Sequence, residues 1–153
     1  MARYTWKAGS YLSGDPQLVG DVCEALEKDG MLTAAALVEA SRPDDAPLHG
    51  MFEWDDAIAA EAYREVQGGR IIRSVEIVPT GTSEPTRAFV SVETINEGRG
   101  YMAVEKAMRV EDARTSLLMQ ARRDMDAFVR KYAQLSELAD VIKDIAKARD
   151  SIA

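Results

Sequence analysis

Residues 71–78 are Ile-Ile-Arg-Ser-Val-Glu-Ile-Val, and at this stretch the spacing of apolar residues changes from helical to β-type. The run is rich in β-branched side chains and alternates along its length, which is typical of a strand. A second β-type run covers 87–95 and a third, shorter one covers 101–104, with a turn at 96–98. The connections are too short for crossover helices, so the sequence predicts an antiparallel β-meander.

Three helices are predicted before the meander. Asp15 is placed to cap the first, Pro16 suits its first position and Gly30 suits its end. A Thr33 cap begins a second, shorter helix that ends near Ser41. The core face of the first helix is expected to carry Leu18, Val22 and Leu26, flanked by Val19 and Cys23.

The third helix is expected to begin at an Asp55 cap and to end at Gly68-Gly69. A loop rich in proline and aspartate, residues 42–54, precedes it. Its predicted core face consists of Ile58, Ala59, Ala62, Tyr63 and Val66.

The end of the chain, from about Glu111, lacks proline and glycine, and its apolar residues recur at steps of three and four. This pattern is heptad-like and predicts a long helical segment. The helix could be interrupted at Gln134–Glu137. The pattern therefore allows either one projecting coiled-coil helix or a hairpin of two helices. The predicted domains are an α+β core, 1–108, and a helical oligomerisation or packing segment, 109–153.

The predicted fold class is therefore α+β, with an N-terminal three-helix unit, a small antiparallel β-meander and a long C-terminal helical segment. Three helices followed by strands is the order of a winged helix-turn-helix. Roughly 13 residues separate the second and third helices, where a winged helix-turn-helix usually has a tight turn. This separation argues against DNA recognition by such a motif. A helical layer packed on a small sheet is the alternative.

Composition indicates a globular protein: of 153 residues, 46% are hydrophobic and 29% are charged. The single cysteine, Cys23, excludes an internal disulfide framework and favours a reducing compartment. No apolar run is long enough for a membrane span and no signal peptide is indicated, so a cytoplasmic location is expected.

The net charge of -7 disfavours nonspecific attraction to nucleic acid, but the charge is unevenly placed. Residues 39–65 hold eight acids and two bases, whereas 109–153 hold eight acids and nine bases. A polyanion-binding surface is therefore expected at the N-terminal arm or in the C-terminal third. The middle of the chain is an acidic patch.

Arg3, Trp6 and Lys7 are the candidate binding residues of the N-terminal arm. Together with Tyr4 and Tyr11, they could stack and neutralise a single nucleic-acid strand. The alternative is that these aromatics pin a terminal strand to the core. In the C-terminal third, the candidate binding residues are Arg122, Arg123, Arg130 and Lys131, which also fit the charged margin of a helical seam.

His49 and Trp54 are further binding candidates, in the loop before the third helix. His49 with the acids at 53, 55 and 56 has metal-ligand chemistry but no strict spacing. The alternative is structural: Asp55 caps the helix and His49 closes the loop by hydrogen bonding. No catalytic constellation is recognisable, so the sequence predicts a protein that is not an enzyme and has no metal or cofactor.

The segment 47–56 contains Pro-Leu-His followed by Phe-Glu-Trp-Asp-Asp, with an Ala-Ala pair at 59–60 and Tyr-Arg at 63–64. It resembles a pattern in uncharacterised proteins of bacteriophages and prophages, and 130–139 is similar to their C-terminal helix. The likeness covers residues 4–145. It implies a viral origin, and an unbroken helix where this chain has Gly68-Gly69.

The functional hypothesis is a non-enzymatic phage or prophage accessory protein of the host-cell cytoplasm. It would act by binding, in DNA transactions or their regulation, and self-associate through its C-terminal helices into a homo-oligomer. The alternative is a protein-interaction factor, either a virion or assembly component or an acidic inhibitor of a host enzyme. The partner is then a host or phage protein rather than DNA.

Overall fold

The computed structural model of the chain describes residues 2–58 and 60–152. In these ranges the helices are α1 (Pro16–Lys28), α2 (Ala34–Ser41), α3 (Glu61–Ser74), α4 (Val104–Ala107), α5 (Glu111–Tyr132) and α6 (Ala139–Ser151). The strands are β1 (Arg3–Trp6), β2 (Val75–Val78), β3 (Thr86–Arg87), β4 (Phe89–Thr94) and β5 (Gly98–Ala103). Single 3-10 turns lie at His49–Met51 and Ser136–Leu138. The predicted mixed α+β class is confirmed.

The two N-terminal helices begin where their caps predict. The side chain of Asp15 accepts a hydrogen bond from the Gln17 N–H at 2.9 Å, and Thr33 accepts one from Ala36 at 3.0 Å. Of the predicted core face of α1, Val22 and Leu26 pack against the larger buried cluster, and only Leu18, 39% exposed, lies outside it. The buried residues of α1 are Val19, Gly20, Cys23 and Glu27.

Helix α3 differs from its prediction at both ends. Asp55 caps only a turn, accepting from the Ala57 N–H at 2.9 Å, and the helix continues through Gly68-Gly69 to Ser74. Gly68 serves close packing: a Cβ there would lie 3.1 Å from the carbonyl oxygen of Ala34 in α2. The predicted core face was wrong, since Ile58, Tyr63 and Val66 are exposed; Ala62 is exposed too, and Ala59 lies outside the described residues.

The strands form two antiparallel sheets, so the prediction of a single meander was wrong. The order of the first sheet is β1-β2-β3, with Tyr4 opposite Ile77 and Glu76 opposite Arg87. The second sheet is the β4-β5 hairpin. The N-terminal strand β1 pairs with β2, and the sequence pattern did not predict this pairing.

Two buried apolar clusters hold these elements together. The larger lies between α1, α2, α3 and the first sheet, and the smaller lies between the β4-β5 hairpin and the start of α5. The larger includes Val19, Leu37, Ile71, Ile72, Val75 and Phe89; the smaller consists of Val92, Met102, Ala107 and Ala113. The separation of α2 from α3 by residues 42–60 leaves no tight helix-turn-helix connection.

The C-terminal segment is two helices, which settles the alternative that its sequence left open. The chain reverses direction after Tyr132, and α6 packs back along α5. Arg149 Nη1 lies 3.0 Å from Asp126 Oδ1, and Arg122 donates to the carbonyl oxygen of Ile152 at 3.3 Å. The pair is therefore an antiparallel hairpin, and within it α6 has no buried residue. Across the described ranges, no helix is both long and apolar enough to cross a membrane.

Candidate functional site

Four cationic side chains surround one open cleft of about 690 Å³. Lys7 follows β1, Arg70 and Arg73 lie in the last turns of α3, and Arg87 lies on β3. The floor and rim are completed by residues 8–12 and by Ser74. We call this cavity the basic cleft.

Strand pairing explains why these residues meet. Side chains alternate between the faces of a strand, so Arg3, Thr5 and Lys7 share the face of β1 opposite to Tyr4. The register places Thr5 beside Glu76 and Glu76 beside Arg87, which brings Arg87 to the same outward face. The Lys7 N–H donates to the carbonyl oxygen of Ser74 at 2.7 Å, and this bond holds Lys7 against the end of α3.

Helix α3 contributes an exposed stripe that leads into the cleft. Tyr63, Val66, Arg70 and Arg73 follow one another at i, i+3, i+7 and i+10, so they lie on one side of the helix. All four are exposed, whereas Ile71 and Ile72 face the core. Burial of the isoleucines therefore fixes the direction in which the two arginines project.

The loop between β1 and α1 presents Tyr11 at the rim of the cleft. Gly9 turns the chain with φ of +79°, and the Ser10 N–H donates to the Lys7 carbonyl at 3.0 Å. At the far end of the loop, the indole N–H of Trp6 donates to the Gly14 carbonyl at 3.1 Å. The Tyr11 side chain is fully exposed.

The cations of the basic cleft carry their charge without an ion-pair partner among the described residues. Over residues 2–58 and 60–152, none of its four cations forms an ion pair with a carboxylate. Arg73 donates to the Tyr101 hydroxyl at 2.9 Å, which orients its guanidinium and leaves its charge in place. Glu76 is the acid across the strand pair from Arg87.

The predicted residues of the N-terminal arm separate between the two faces of β1. Lys7 lines the cleft, and Arg3 is exposed on the same outward face, four residues earlier in the chain. Trp6 lies on the opposite face, half-buried, with its N–H committed to the loop. It packs against the larger core cluster and therefore supports the loop rather than the cleft.

His49 and Trp54 belong to a different cluster, which closes the loop between α2 and α3. Their rings stack with centroids 5.0 Å apart, and the indole N–H of Trp54 donates to the His49 carbonyl at 2.8 Å. The guanidinium carbons of Arg42 and Arg64 lie 5.5 and 5.3 Å from the Trp54 ring. His49 Nδ1 lies 3.1 Å from the Ser41 carbonyl oxygen, as the structural interpretation of this histidine predicts.

Arg64 is the centre of that cluster and is only 4% exposed. Its Nε donates to the Glu53 carbonyl at 2.8 Å, Nη1 donates to Glu61 at 3.1 Å, and Nη2 donates to Asp56. The hydrogen bond from Arg64 holds the pKa of the Asp56 carboxyl below its usual value. Within the part of the chain that the structure describes, no three His, Cys, Asp or Glu side chains are grouped so as to hold a metal ion.

The predicted C-terminal cations are exposed on α5, and none of them lines the basic cleft. Arg130 pairs with Asp126 at 2.9 Å, and Lys131 Nζ lies 5.2 Å from the centre of the Tyr132 ring. Arg122 binds the Ile152 carbonyl, and Arg123 borders a separate groove between β4 and α5. These residues therefore form local contacts along the hairpin.

Arg70, Arg73 and Arg87 are not predicted as site residues from the sequence. Gly68-Gly69 is typical of a helix end, so the pattern predicts a turn at Arg70 and a strand at Arg73. The signal that could have found Arg70 and Arg73 is the spacing of 63, 66, 70 and 73, which is visible once the helix is extended through the glycines. Tyr11 was identified, but the sequence could not place it beside α3.

Comparison with protein-family models, curated proteins and solved structures finds no match to this chain.

Proposed function

We propose that this chain is a non-enzymatic binding protein that takes the phosphate backbone of a nucleic acid into the basic cleft. The observation that carries the proposal is the gathering of Lys7, Arg70, Arg73 and Arg87 around one cavity in a chain of net charge -7. Phosphate contacts by lysine and arginine provide most of the affinity in such complexes, because they release condensed counterions.

The arginines that bridge parts of this fold differ from those of the cleft. Arg42, Arg64 and Arg149 each contact at least one carboxylate, as structural cations do. Like charges gathered around one cavity repel one another, and a bound polyanion relieves that repulsion. The gathering of four such cations at one cleft therefore supports a ligand role for them.

The test is titration of fluorescein-labelled oligonucleotides at low salt, followed by fluorescence anisotropy. Arg70→Glu combined with Arg87→Glu should weaken binding by about ten-fold or more, since two phosphate contacts become repulsions. The matched control is Arg130→Glu with Lys131→Glu, which changes the net charge by the same amount on α5. Equal losses in the two double variants would reject the cleft as the site.

The phage or prophage origin and a role in DNA transactions remain part of this proposal, on the resemblance of residues 47–64. Self-association through the α5–α6 hairpin is its second part. Two observations support it. Helix α6 has no buried residue, and the hairpin exposes the apolar residues Leu118, Met119, Leu135 and Val141.

The alternative is a protein-interaction factor that acts through the acidic patch. Fewer carboxylates of this patch are free to bind a partner than the composition of residues 39–65 implies. Glu39, Asp56 and Glu61 are already paired with Arg42 or Arg64. If no nucleic acid binds in the titration, this alternative becomes the leading hypothesis.

A further inference from the structure

We propose that the basic cleft selects single-stranded nucleic acid, and that Tyr11 stacks on a base of the bound strand. This inference rests on the proposed function and adds to it the class of nucleic acid. Its residues are Tyr11 on the loop after β1 and the cations of the cleft.

Tyr11 has the placement that base stacking requires. Its ring is fully exposed, yet it stands on a loop that is anchored to Lys7 at one end and to Trp6 at the other. An aromatic ring beside a cationic groove is the arrangement by which single-strand binding proteins hold successive nucleotides. The Tyr11 ring adds nothing to the core, because it is not among the residues packed there.

The positive surface of α3 is short. Its exposed cations, Arg70 and Arg73, lie in the last turns of a helix about 21 Å long, and Arg64 is buried. A duplex laid along α3 would meet no exposed cation before Arg70, whereas a few phosphates of one strand fit the two arginines.

The size of the cleft agrees with a short stretch of one strand. Its volume of about 690 Å³ lies within the range of small-ligand sites, roughly 300–1,000 Å³. A duplex has its bases stacked inside and offers no free base face to Tyr11. A flexible strand can place a phosphate among the cations and turn the adjoining base toward the ring.

The experiment uses the full chain and three labelled probes: a twelve-nucleotide oligothymidylate, a twelve-base-pair duplex and a labelled thymidine nucleotide. Anisotropy is measured over a series of salt concentrations. We expect the oligothymidylate to bind at least ten-fold more tightly than the other two probes. Tyr11→Ala should lower the affinity for the strand by about ten-fold, within the range measured for loss of one stacked base.

Tyr11→Phe is the matched variant, since it keeps the ring and should bind as the unaltered chain does. The salt dependence separates stacking from charge. Tyr11→Ala should leave the slope of log affinity against log salt unchanged, whereas Arg70→Ala should reduce it by about 0.7. Because Tyr11 is fully exposed, Tyr11→Ala and Tyr11→Phe should both keep the melting temperature of the unaltered chain.

Duplex binding equal to strand binding, or an unaltered affinity in Tyr11→Ala, would overturn the inference and leave the proposed function standing. Equal affinity for the thymidine nucleotide would also overturn it, by making the ligand a free nucleotide. Absence of binding by all three probes would overturn the proposed function itself. These outcomes are distinguishable in one set of titrations.

Discussion

The aromatic ring of Tyr4 occupies the space that a Cβ atom on Gly20 would need. Tyr4 stands on β1 and Gly20 on α1, so this contact sets how closely the helix approaches the sheet. The ring is held from the other side by Phe89, with centroids 6.3 Å apart, and its hydroxyl donates to Glu24 at 3.2 Å. Tyr4 therefore cannot move aside without losing other contacts.

Gly20→Ala should consequently lower the free energy of unfolding by about 2 kcal/mol, although alanine is the better helix former. Overpacking costs about 1–3 kcal/mol, and the propensity gain of about 1 kcal/mol offsets only part of it. Urea denaturation followed by tryptophan fluorescence measures the change. Gly50→Ala is the control, since no atom lies within 4 Å of its Cβ position. A stabilised Gly20→Ala variant would contradict the described packing.

Local signals predicted the caps of α1 and α2, because Asp15 and Thr33 act on backbone groups only two or three residues away. The same approach failed at Gly68, whose role is set by Ala34 in another helix. Glycine at a helix end and glycine at a close helix contact look alike in sequence. The basic cleft was missed for the same reason: its cations come from β1, α3 and β3, and only the register brings them together.

Glu27 is expected to make the stability of this protein depend on pH. Its side chain is buried in α1 and accepts a hydrogen bond from the Ala103 N–H at 2.7 Å. Burial raises the pKa of the carboxyl, and this outweighs the lowering by Ala103 and by Lys106, whose Nζ is 4.0 Å away. The folded chain therefore holds this proton to higher pH than the unfolded chain does.

The sign of the effect follows from linkage. A carboxyl with a raised folded pKa binds more protons in the folded state, so its contribution to stability falls as pH rises from the unfolded pKa past the folded one. Glu27→Gln removes the titration and keeps an acceptor for Ala103. Its stability relative to the unaltered chain should increase between pH 4.5 and pH 7 in urea denaturation. A difference that stays constant over this interval would show that Glu27 does not titrate as described.

Arg64 is expected to stabilise the loop between α2 and α3. Arg64→Lys should lower the free energy of unfolding by about 2 kcal/mol, because an ammonium group cannot reach Glu53, Asp56 and Glu61 together. The Trp54 ring would also lose one of its two guanidinium neighbours, so the tryptophan emission should change. Arg70→Lys is the control on the same helix, where the side chain is exposed. An equal effect of the two substitutions would contradict the central place of Arg64.

Self-association of the hairpin gives the last prediction. If α5 and α6 cover their exposed apolar residues with a second copy, the full chain should have a solution mass of at least twice 16.8 kDa. Leu135→Glu with Val141→Glu should reduce it to the monomer, since both residues are about half exposed and their replacement leaves the two apolar clusters intact.

Light scattering after size exclusion measures these masses. Ile95→Glu is the control, because Ile95 is an even more exposed apolar residue, in the turn between β4 and β5. This variant should keep the mass of the unaltered chain. A full chain of 16.8 kDa would reject self-association. Dissociation by Ile95→Glu, with the hairpin variant unaffected, would place the contact at the second sheet instead.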